Sequence, residues 1–188
     1  MNSILICDDE PLIRTELKLL LKKLQFDEII EAGNGEEAVA LALQRFPDIA
    51  ILDISMPKKD GIAAAAEIRK QLKIPIIFFT ASHDQEVLAR AVHSGVAAVL
   101  TKPVRPHELW PAIELAFAHN EQVERLKEEV EDLKESIENR KVIEKAKGVL
   151  MKKQGLSEPE AFRRMQKLAM DKRKTLRQVA DAVLLTEQ

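Results

Sequence analysis

Short apolar runs alternate with helix-like segments along roughly the first 118 residues. The apolar runs, which predict β-strands, occupy residues 3–7, 28–32, 48–52, 74–79 and 97–100. The helical patterns that follow them occupy residues 11–24, 35–45, 60–72, 84–94 and 106–118. Nearly continuous runs of Ile, Val, Leu and Phe that alternate with helices are typical of parallel strands covered on both faces. The pattern therefore predicts an α/β domain with a doubly wound five-stranded parallel sheet.

A different pattern begins where this domain ends. Mostly apolar side chains recur at alternating spacings of three and four residues, which places them on one face of a helix. They are Ala116, His119, Val123, Leu126, Val130, Leu133 and Ile137. Glu and Lys fill most positions between them, and no Gly or Pro interrupts residues 112–147. A stripe this narrow with charged flanks predicts a coiled-coil helix. A single amphipathic helix that packs against its own domain is the alternative.

The remaining residues predict a small three-helix domain at the C-terminus. The long helix ends near Gly155, and Ser157 with Glu160 forms the capping-box pattern that starts a helix reaching about Asp171. Thr175 repeats that pattern and opens a final short helix. We therefore expect a first domain over residues 1–119, a coiled-coil linker over 120–138 and the three-helix domain over 139–188.

Charge divides the chain in the same place. Residues 139–188 carry 13 Lys and Arg against 6 Asp and Glu, a net charge of +7, whereas residues 1–138 carry a net charge of −9. An acidic front and a basic tail indicate two separate tasks. A basic module can bind a polyanion, although a solvated helical surface gives the same composition.

Other features of the sequence restrict the cellular setting. The single cysteine, Cys7, excludes a disulfide framework, which fits a reducing compartment. The N-terminus lacks the basic start and long apolar stretch of a signal peptide, and no window approaches the roughly 18 apolar residues of a membrane span. We therefore expect a cytoplasmic protein with no membrane partner. Because no Ser/His/Asp or Cys/His arrangement indicates hydrolysis, we also expect a protein that is not an enzyme.

Polar residues stand where four of the predicted strands end. Asp8 and Asp9 follow the first strand, Asp53 ends the third, Thr80 the fourth, and Lys102 follows the fifth. Ligands bind at this edge of an open parallel sheet, so we expect these side chains to converge. Carboxylate oxygens suit Mg²⁺, and Asp53 at the centre can act as a nucleophile toward a phosphoryl group. Each residue alone is commonly a helix cap or a loop residue, and only their joint placement indicates a site.

Four short stretches resemble the response-regulator receiver family. They are residues 6–11 (ICDDEP), 53–61 (DISMPKKDG), 80–81 (TA) and 102–103 (KP), within a resemblance that covers residues 1–119. The resemblance implies a flavodoxin-like fold, a sensor histidine kinase as partner and Asp53 as phospho-acceptor. It also implies that Asp9, Asp53 and the backbone carbonyl of Ser55 ligate Mg²⁺, with Asp8 acting through water.

Further expectations rest on the same resemblance. Lys102 would bind the phosphoryl group, Thr80 would move toward it on activation, and the peptide bond between Lys102 and Pro103 would be cis. Val99 stands where the family often has an aromatic residue that responds to this movement. Phosphorylation should survive that difference, whereas the output must use another route.

The C-terminal residues resemble the ANTAR domain. The resemblance covers about residues 130–188 and rests chiefly on residues 140–151 (RKVIEKAKGVLM), with support from 155–157, 160–162, 169–170 and 179–180. It implies an RNA-binding transcription antiterminator, which binds paired hairpins in a leader transcript and prevents a terminator from forming. A receiver, a coiled coil and this module in one chain are a common arrangement of that family, and the coiled coil predicts a homodimer that depends on phosphorylation.

Basic side chains are the candidate RNA contacts. We single out Lys145, Lys147, Lys152, Lys153, Arg163 and Arg164, and further phosphate partners are Lys167, Lys172, Arg173, Lys174 and Arg177. Phe162 is the only aromatic residue after residue 138, so stacking of unpaired bases on aromatic rings is not expected. Two other outputs stay open. The turn at residues 155–157 could join the helices of a DNA-binding regulator, or the basic tail could dock to a protein.

Overall fold

The computed structural model describes residues 3–81 and 85–186. The chain divides into two compact units, Met1–Arg125 and Leu126–Gln188. The first contains β1 (Ser3–Cys7), α1 (Pro11–Lys23), β2 (Glu28–Ala32), α2 (Gly35–Arg45), β3 (Ile49–Leu52), α3 (Gly61–Gln71), β4 (Ile76–Thr80), α4 (Gln85–His93), β5 (Ala98–Thr101) and the beginning of α5 (Pro106–Gln154). The second contains the rest of α5, α6 (Glu158–Lys172) and α7 (Leu176–Leu185). The predicted start of the fourth helix at residue 84 lies outside the described residues.

The strands form one parallel five-stranded sheet in the order β2-β1-β3-β4-β5. This order confirms the predicted doubly wound topology, because β1 pairs with β2 on one side and with β3 on the other. The start of β4 is two residues later than predicted. The Pro75 carbonyl accepts from the N–H of Ala50 at 3.1 Å, but proline has no N–H to donate to the neighbouring strand. The pairing of β4 with β3 therefore begins at Ile76.

Apolar cores cover both faces of the sheet. Alternate strand residues point to opposite faces. Leu52 and Phe78 therefore pack in the cluster that contains residues of α2 and α3, while Ile51 and Ile77 pack in the cluster that contains residues of α1 and α5. These four side chains are no more than 1% exposed. Burial from both sides explains why the strands are continuous apolar runs rather than alternating ones.

The long helix α5 is continuous over its 49 residues. Its first part belongs to the core of the first unit, where Ala116 is completely buried. The assignment of Ala116 to the coiled-coil stripe was therefore wrong. Later turns contact the segment after α3, because Lys73 Nζ lies 3.2 Å from Glu124 Oε2 and the Lys73 carbonyl accepts from Asn120 Nδ2 at 3.0 Å.

The apolar stripe of α5 is open in the single chain. Four of its members remain 48–63% exposed: Leu126, Val130, Leu133 and Ile137. Their exposure does not fit the alternative in which this stripe is buried by its own chain. Large apolar side chains repeated along one helix face favour burial by a partner.

The second unit has its own apolar core between three helical segments. Every fourth residue contributes along α5 and α6, in the series Val142, Ala146 and Leu150 and the series Ala161, Met165 and Ala169. Both predicted capping boxes are present. The N–H of Ser157 donates to Glu160 Oε2 at 2.8 Å, and the N–H of Gln178 donates to the Thr175 hydroxyl at 3.2 Å.

Over the described ranges, no helix is both long enough and apolar enough to cross a bilayer.

Candidate functional site

The predicted acidic residues meet at one edge of the sheet. Carboxylate oxygens of Asp8, Asp9 and Asp53 lie within 4.8 Å of one another. Asp8 is 1% exposed, Asp53 is 5% exposed and Thr80 at the end of β4 is fully buried, whereas Asp9 is exposed. The parallel strands therefore bring together residues that are far apart in sequence, as their positions at the strand ends predict.

Lys102 supplies the positive charge of this cluster. Its Nζ atom lies 2.5 Å from Asp8 Oδ2 and 3.1 Å from Asp53 Oδ2. Burial by itself would lower the pKa of Lys102, but the close contacts with the negatively charged Asp8 and Asp53 carboxylates together outweigh burial and raise the pKa. Burial raises the pKa of Asp53, and the hydrogen bond and charge of Lys102 oppose that rise. The lysine thus stays charged and compensates part of the negative charge.

The donor set fits a divalent cation such as Mg²⁺. Three carboxylates face one ammonium group, so the cluster keeps an excess of negative charge. The buried Asp8 Oδ2 also accepts no hydrogen bond of good geometry, although Lys102 is close. A hard cation with oxygen ligands would relieve both conditions. Ser55, whose carbonyl is the further ligand implied by the receiver resemblance, is exposed, and its backbone N–H donates to the Asp53 carboxylate.

A glycine and an arginine that were not predicted as site residues hold the acidic residues in place. A Cβ atom on Gly61 would lie 1.9 Å from the Asp53 carbonyl oxygen, so the chain can approach this closely only with glycine. The N–H of Gly61 donates to the Ile54 carbonyl at 2.9 Å. Arg14 of α1 donates from Nη1 to the Asp8 carbonyl at 2.7 Å. The signal for Gly61 was its position directly after the helix N-cap at Asp60, whereas no local pattern identifies Arg14.

The ends of β4 and β5 position the remaining predicted residues. The Lys102 N–H donates to the Thr80 carbonyl at 2.8 Å, and the peptide bond between Lys102 and Pro103 is cis, as expected. Val99 pairs with Phe78 in the sheet and packs against the apolar cluster that contains Phe78. A small side chain therefore occupies the position of the aromatic residue expected from the receiver resemblance.

The basic candidates in the second unit differ in their exposure. Lys145, Lys152, Lys153, Arg163 and Arg164 are exposed. Lys147 differs, because it is only 7% exposed and its Nζ lies 2.7 Å from Glu158 Oε1 and 2.8 Å from Glu144 Oε1. The Phe162 ring centroid is 5.8 Å from the same atom. In this geometry two carboxylates bind the ammonium group, so the residue links α5 to α6. Its contact with RNA phosphate stays a prediction.

Comparison with known families accounts for both units. Residues 4–114 match the response regulator receiver domain, and residues 131–184 match the ANTAR domain. The chain belongs to the response-regulator family. ANTAR domains are RNA-binding antitermination modules, so this response regulator is of that general class.

Relatives of this response regulator include full-length and receiver-only matches. It is 43% identical over 183 residues to the transcriptional regulatory protein PdtaR of Mycobacterium tuberculosis, covering 97% of this chain and 89% of the relative. The receiver part is 39% identical over 108 residues to the transcriptional regulatory protein SrrA of Staphylococcus aureus, covering 57% of this chain and 44% of that protein.

Solved structures similar to this response regulator cover its receiver domain. The signal receiver domain of a modulated diguanylate cyclase from Desulfovibrio desulfuricans superposes with a TM-score of 0.60 at 36% identity, over 64% of this chain and 96% of that one. The chemotaxis protein CheY4 of Vibrio cholerae gives a TM-score of 0.57 at 28% identity, over 62% of this chain and 98% of that one. The receiver fold of the first unit is thus shared with proteins of different outputs.

Proposed function

We propose that a sensor histidine kinase phosphorylates this response regulator on Asp53, and that its ANTAR domain then binds paired hairpins in a leader RNA. Hairpin binding would prevent a terminator from forming and so regulate transcription. The observation that supports the proposal is the convergence of three carboxylates and Lys102 at one sheet edge in a chain that also carries an ANTAR domain.

Phosphorylation would be a transfer of the phosphoryl group from the kinase histidine to Asp53. The Asp53 carboxylate attacks the phosphorus atom of the donor, the bond from phosphorus to the donor histidine nitrogen breaks, and an aspartyl phosphate forms. Lys102 is close enough to Asp53, at 3.1 Å, to contact an oxygen of the transferred group. The Thr80 hydroxyl would hydrogen-bond that group after transfer.

Residues of the same edge would hold the metal ion. Asp9 and Asp53 would bind Mg²⁺ with the Ser55 carbonyl, and Asp8 would act through water. The ion, when bound, supplies positive charge that offsets the phosphoryl oxygens as the donor approaches. With Val99 beside Phe78, the change at Thr80 would have to reach the output surface without an aromatic switch.

The open stripe on α5 supports a parallel homodimer. Residues 120–138 would form the coiled coil between a receiver over residues 1–119 and an ANTAR domain over residues 139–188. Burial of Leu126, Val130, Leu133 and Ile137 in a seam would stabilise a helix that is marginal alone. A dimer presents two ANTAR domains, and linked binding to two hairpins gains from effective concentration.

Phosphorylation can be tested with a matched pair of acidic variants. Asp53→Asn should abolish Mg²⁺-dependent labelling by a radioactive phosphoramidate, because it removes the nucleophile. Asp60→Asn should keep it, since the Asp60 side chain caps α3 through the Ala63 N–H (2.6 Å) and asparagine can serve as the same cap. Labelling that persists in Asp53→Asn would overturn the assignment of the phospho-acceptor.

RNA output can be tested by fluorescence anisotropy with the phosphorylated full chain. Two-hairpin RNA should bind more tightly than one-hairpin RNA, and both more tightly than duplex DNA of equal length. Tighter binding to the DNA would favour a DNA-binding regulator. No binding to either nucleic acid would favour docking to a protein.

The dimer can be tested by light scattering. Leu126→Glu together with Leu133→Glu should give the mass of one chain, because two charges would enter the seam. The pair Glu128→Lys and Glu135→Lys changes charge even more but lies on the helix face opposite the stripe, so it should keep the dimer. An unchanged mass in the leucine variant would show that the stripe is not the interface.

A further inference from the structure

An open groove lies between the three helical segments of the second unit. It has a volume of about 610 Å³ and is bordered by the end of α5, by α6 and by α7. Its apolar lining includes Leu150, Leu168, Val179, Ala182 and Val183. Sites for small organic groups are commonly concave and apolar, with volumes of about 300–1,000 Å³. The groove therefore has the size and surface to enclose a flat organic ring.

Cations border this apolar surface. The groove is also lined by Lys153, Arg164, Lys172 and Lys174, all of which are exposed. Among the described residues that line it, none is acidic. The cleft beside Lys147 is different, because it is lined by Glu144 and Glu158, which bind that lysine. The groove thus combines an apolar surface with a positive rim that favours anions.

We propose that this groove holds the base of one unpaired loop nucleotide of the RNA, while the rim cations hold the adjacent phosphates. The inference rests on the proposed RNA-binding function and identifies the part of the RNA that is recognised. A nucleotide carries an apolar, flat base next to an anionic phosphate, which matches the two surfaces of the groove. Bases in a paired stem are stacked and cannot enter it, whereas loop bases can turn outward.

The groove replaces the aromatic platform that this domain lacks. Phe162 lies beside Lys147 and does not line the groove. Aliphatic side chains of Leu168, Val179 and Val183 would therefore contact the base. A second copy of the same groove is a poor occupant, because face-to-face contact would bring two sets of rim cations together.

Neighbouring residues of the same type provide matched controls for the rim. Arg164 and Lys153 line the groove, whereas the adjacent Arg163 and Lys152 are exposed and do not. Arg164→Ala and Lys153→Ala should each weaken RNA binding about tenfold, the effect of losing one charged hydrogen bond. Arg163→Ala and Lys152→Ala change the net charge equally but lie outside the groove, so each should weaken binding less than about threefold. That result would replace the sequence-based prediction of Arg163 and Lys152 as RNA contacts with the groove residues.

A double-perturbation experiment tests the base itself. The probe is a hairpin with a fixed stem, selected from a library of randomised loops by binding to the phosphorylated full-length protein. Loop positions are then made abasic one at a time. At one position the lost base should cost about tenfold in affinity for the unaltered protein, because its apolar surface is no longer buried. Ala182→Phe fills the groove, so it should bind the intact hairpin more weakly and show less than about a twofold penalty at that position.

Met170→Phe is the control for Ala182→Phe. Met170 is 80% exposed on α6 and does not line the groove, so this variant should keep the abasic penalty. Circular dichroism and Asp53 labelling establish whether each variant is folded. If Ala182→Phe does not fold, the rim variants still test the groove.

Several outcomes would overturn the proposal. Equal losses in the rim and control pairs would show binding by overall charge, and an unchanged abasic penalty in Ala182→Phe would place the base elsewhere. A change of mass in Ala182→Phe, with unchanged RNA affinity, would make the groove an interface between copies. If the unaltered protein bound no hairpin at all, the proposed RNA-binding function itself would be wrong. This outcome differs from failure of the groove proposal, in which the unaltered protein still binds the hairpin.

Discussion

Charged residues are organised in opposite ways in the two units. In the receiver, Asp8 and Asp53 are almost completely buried and Lys102 binds both. In the ANTAR domain, the candidate cations lie exposed along helices, as Lys145 and Arg163 do. A buried site is fixed by the topology of the sheet, because strand ends must converge. The contacts that exposed cations make depend on the molecule that binds to them. The structure of the chain alone therefore shows which cations are accessible and not which of them contact RNA.

Lys147 is the exception that clarifies this difference. It belongs to the most characteristic ANTAR stretch, yet it is buried between two glutamates like a residue of the receiver site. Membership of a motif therefore does not distinguish a ligand contact from a packing contact.

The strongest test adds one methyl group to the receiver site. Gly61→Ala places a Cβ atom 1.9 Å from the Asp53 carbonyl oxygen, so the backbone that carries Asp53 must move. We expect labelling of Asp53 to slow about a hundredfold, as a displacement of about 1 Å can cause. The receiver should also lose about 1–3 kcal/mol of stability through overpacking, which the fluorescence of Trp110 can follow during urea unfolding.

Gly33→Ala is the control in the same domain. The nearest atom to its added Cβ is Glu37 Oε2 at 3.5 Å, an ordinary contact. Its stability should change by no more than about 0.5 kcal/mol. Equal effects of the two substitutions would show that the site tolerates movement and is less rigid than its geometry implies.

The receiver could be predicted from the sequence more completely than the ANTAR domain. Strand positions, sheet topology and the convergence at Asp53 follow from apolar runs and from the rule that parallel strands end at one edge. Arg14 could not be predicted, because its contact with the Asp8 carbonyl depends on how α1 is placed and on no local pattern. The sequence also could not show which basic side chains are exposed. Lys145 and Lys147 are two positions apart, and only the packing of the helices makes the first exposed and the second buried.

Salt should separate the two regions next. Exposed cations that contact RNA phosphates release counterions, so affinity for the hairpin should fall about a hundredfold between about 50 and 200 mM salt if four contacts form. Labelling of Asp53 should change much less, since buried ion pairs are weakly screened. Anisotropy titrations and phosphoramidate labelling in the same buffers measure both. RNA binding that is insensitive to salt would contradict a phosphate-based interface.

Substitution of the two motif lysines should give different results. Lys147→Met removes the partner of Glu144 and Glu158, so α6 should be held less firmly and the ANTAR domain should melt a few degrees (about 2–8 °C) lower. Lys145→Met should leave melting unchanged and weaken RNA binding, because Lys145 is exposed. Circular dichroism and anisotropy on both variants make the comparison. Reduced RNA affinity without loss of stability in Lys147→Met would support the prediction that Lys147 contacts RNA.

The smallest expected effect is that of substituting an exposed glycine in the ANTAR domain. Gly148 lies inside α5, and a Cβ atom there would meet nothing within 4 Å. Since glycine in a helix interior costs roughly 0.5–1 kcal/mol relative to alanine, Gly148→Ala should stabilise the ANTAR domain by about that amount, the opposite sign to Gly61→Ala. Hydrogen exchange of α6 and α7 amides in the full chain measures this local change. Destabilisation would favour the approach of a partner subunit at this glycine, because no atom of the described residues lies within 4 Å of the added Cβ.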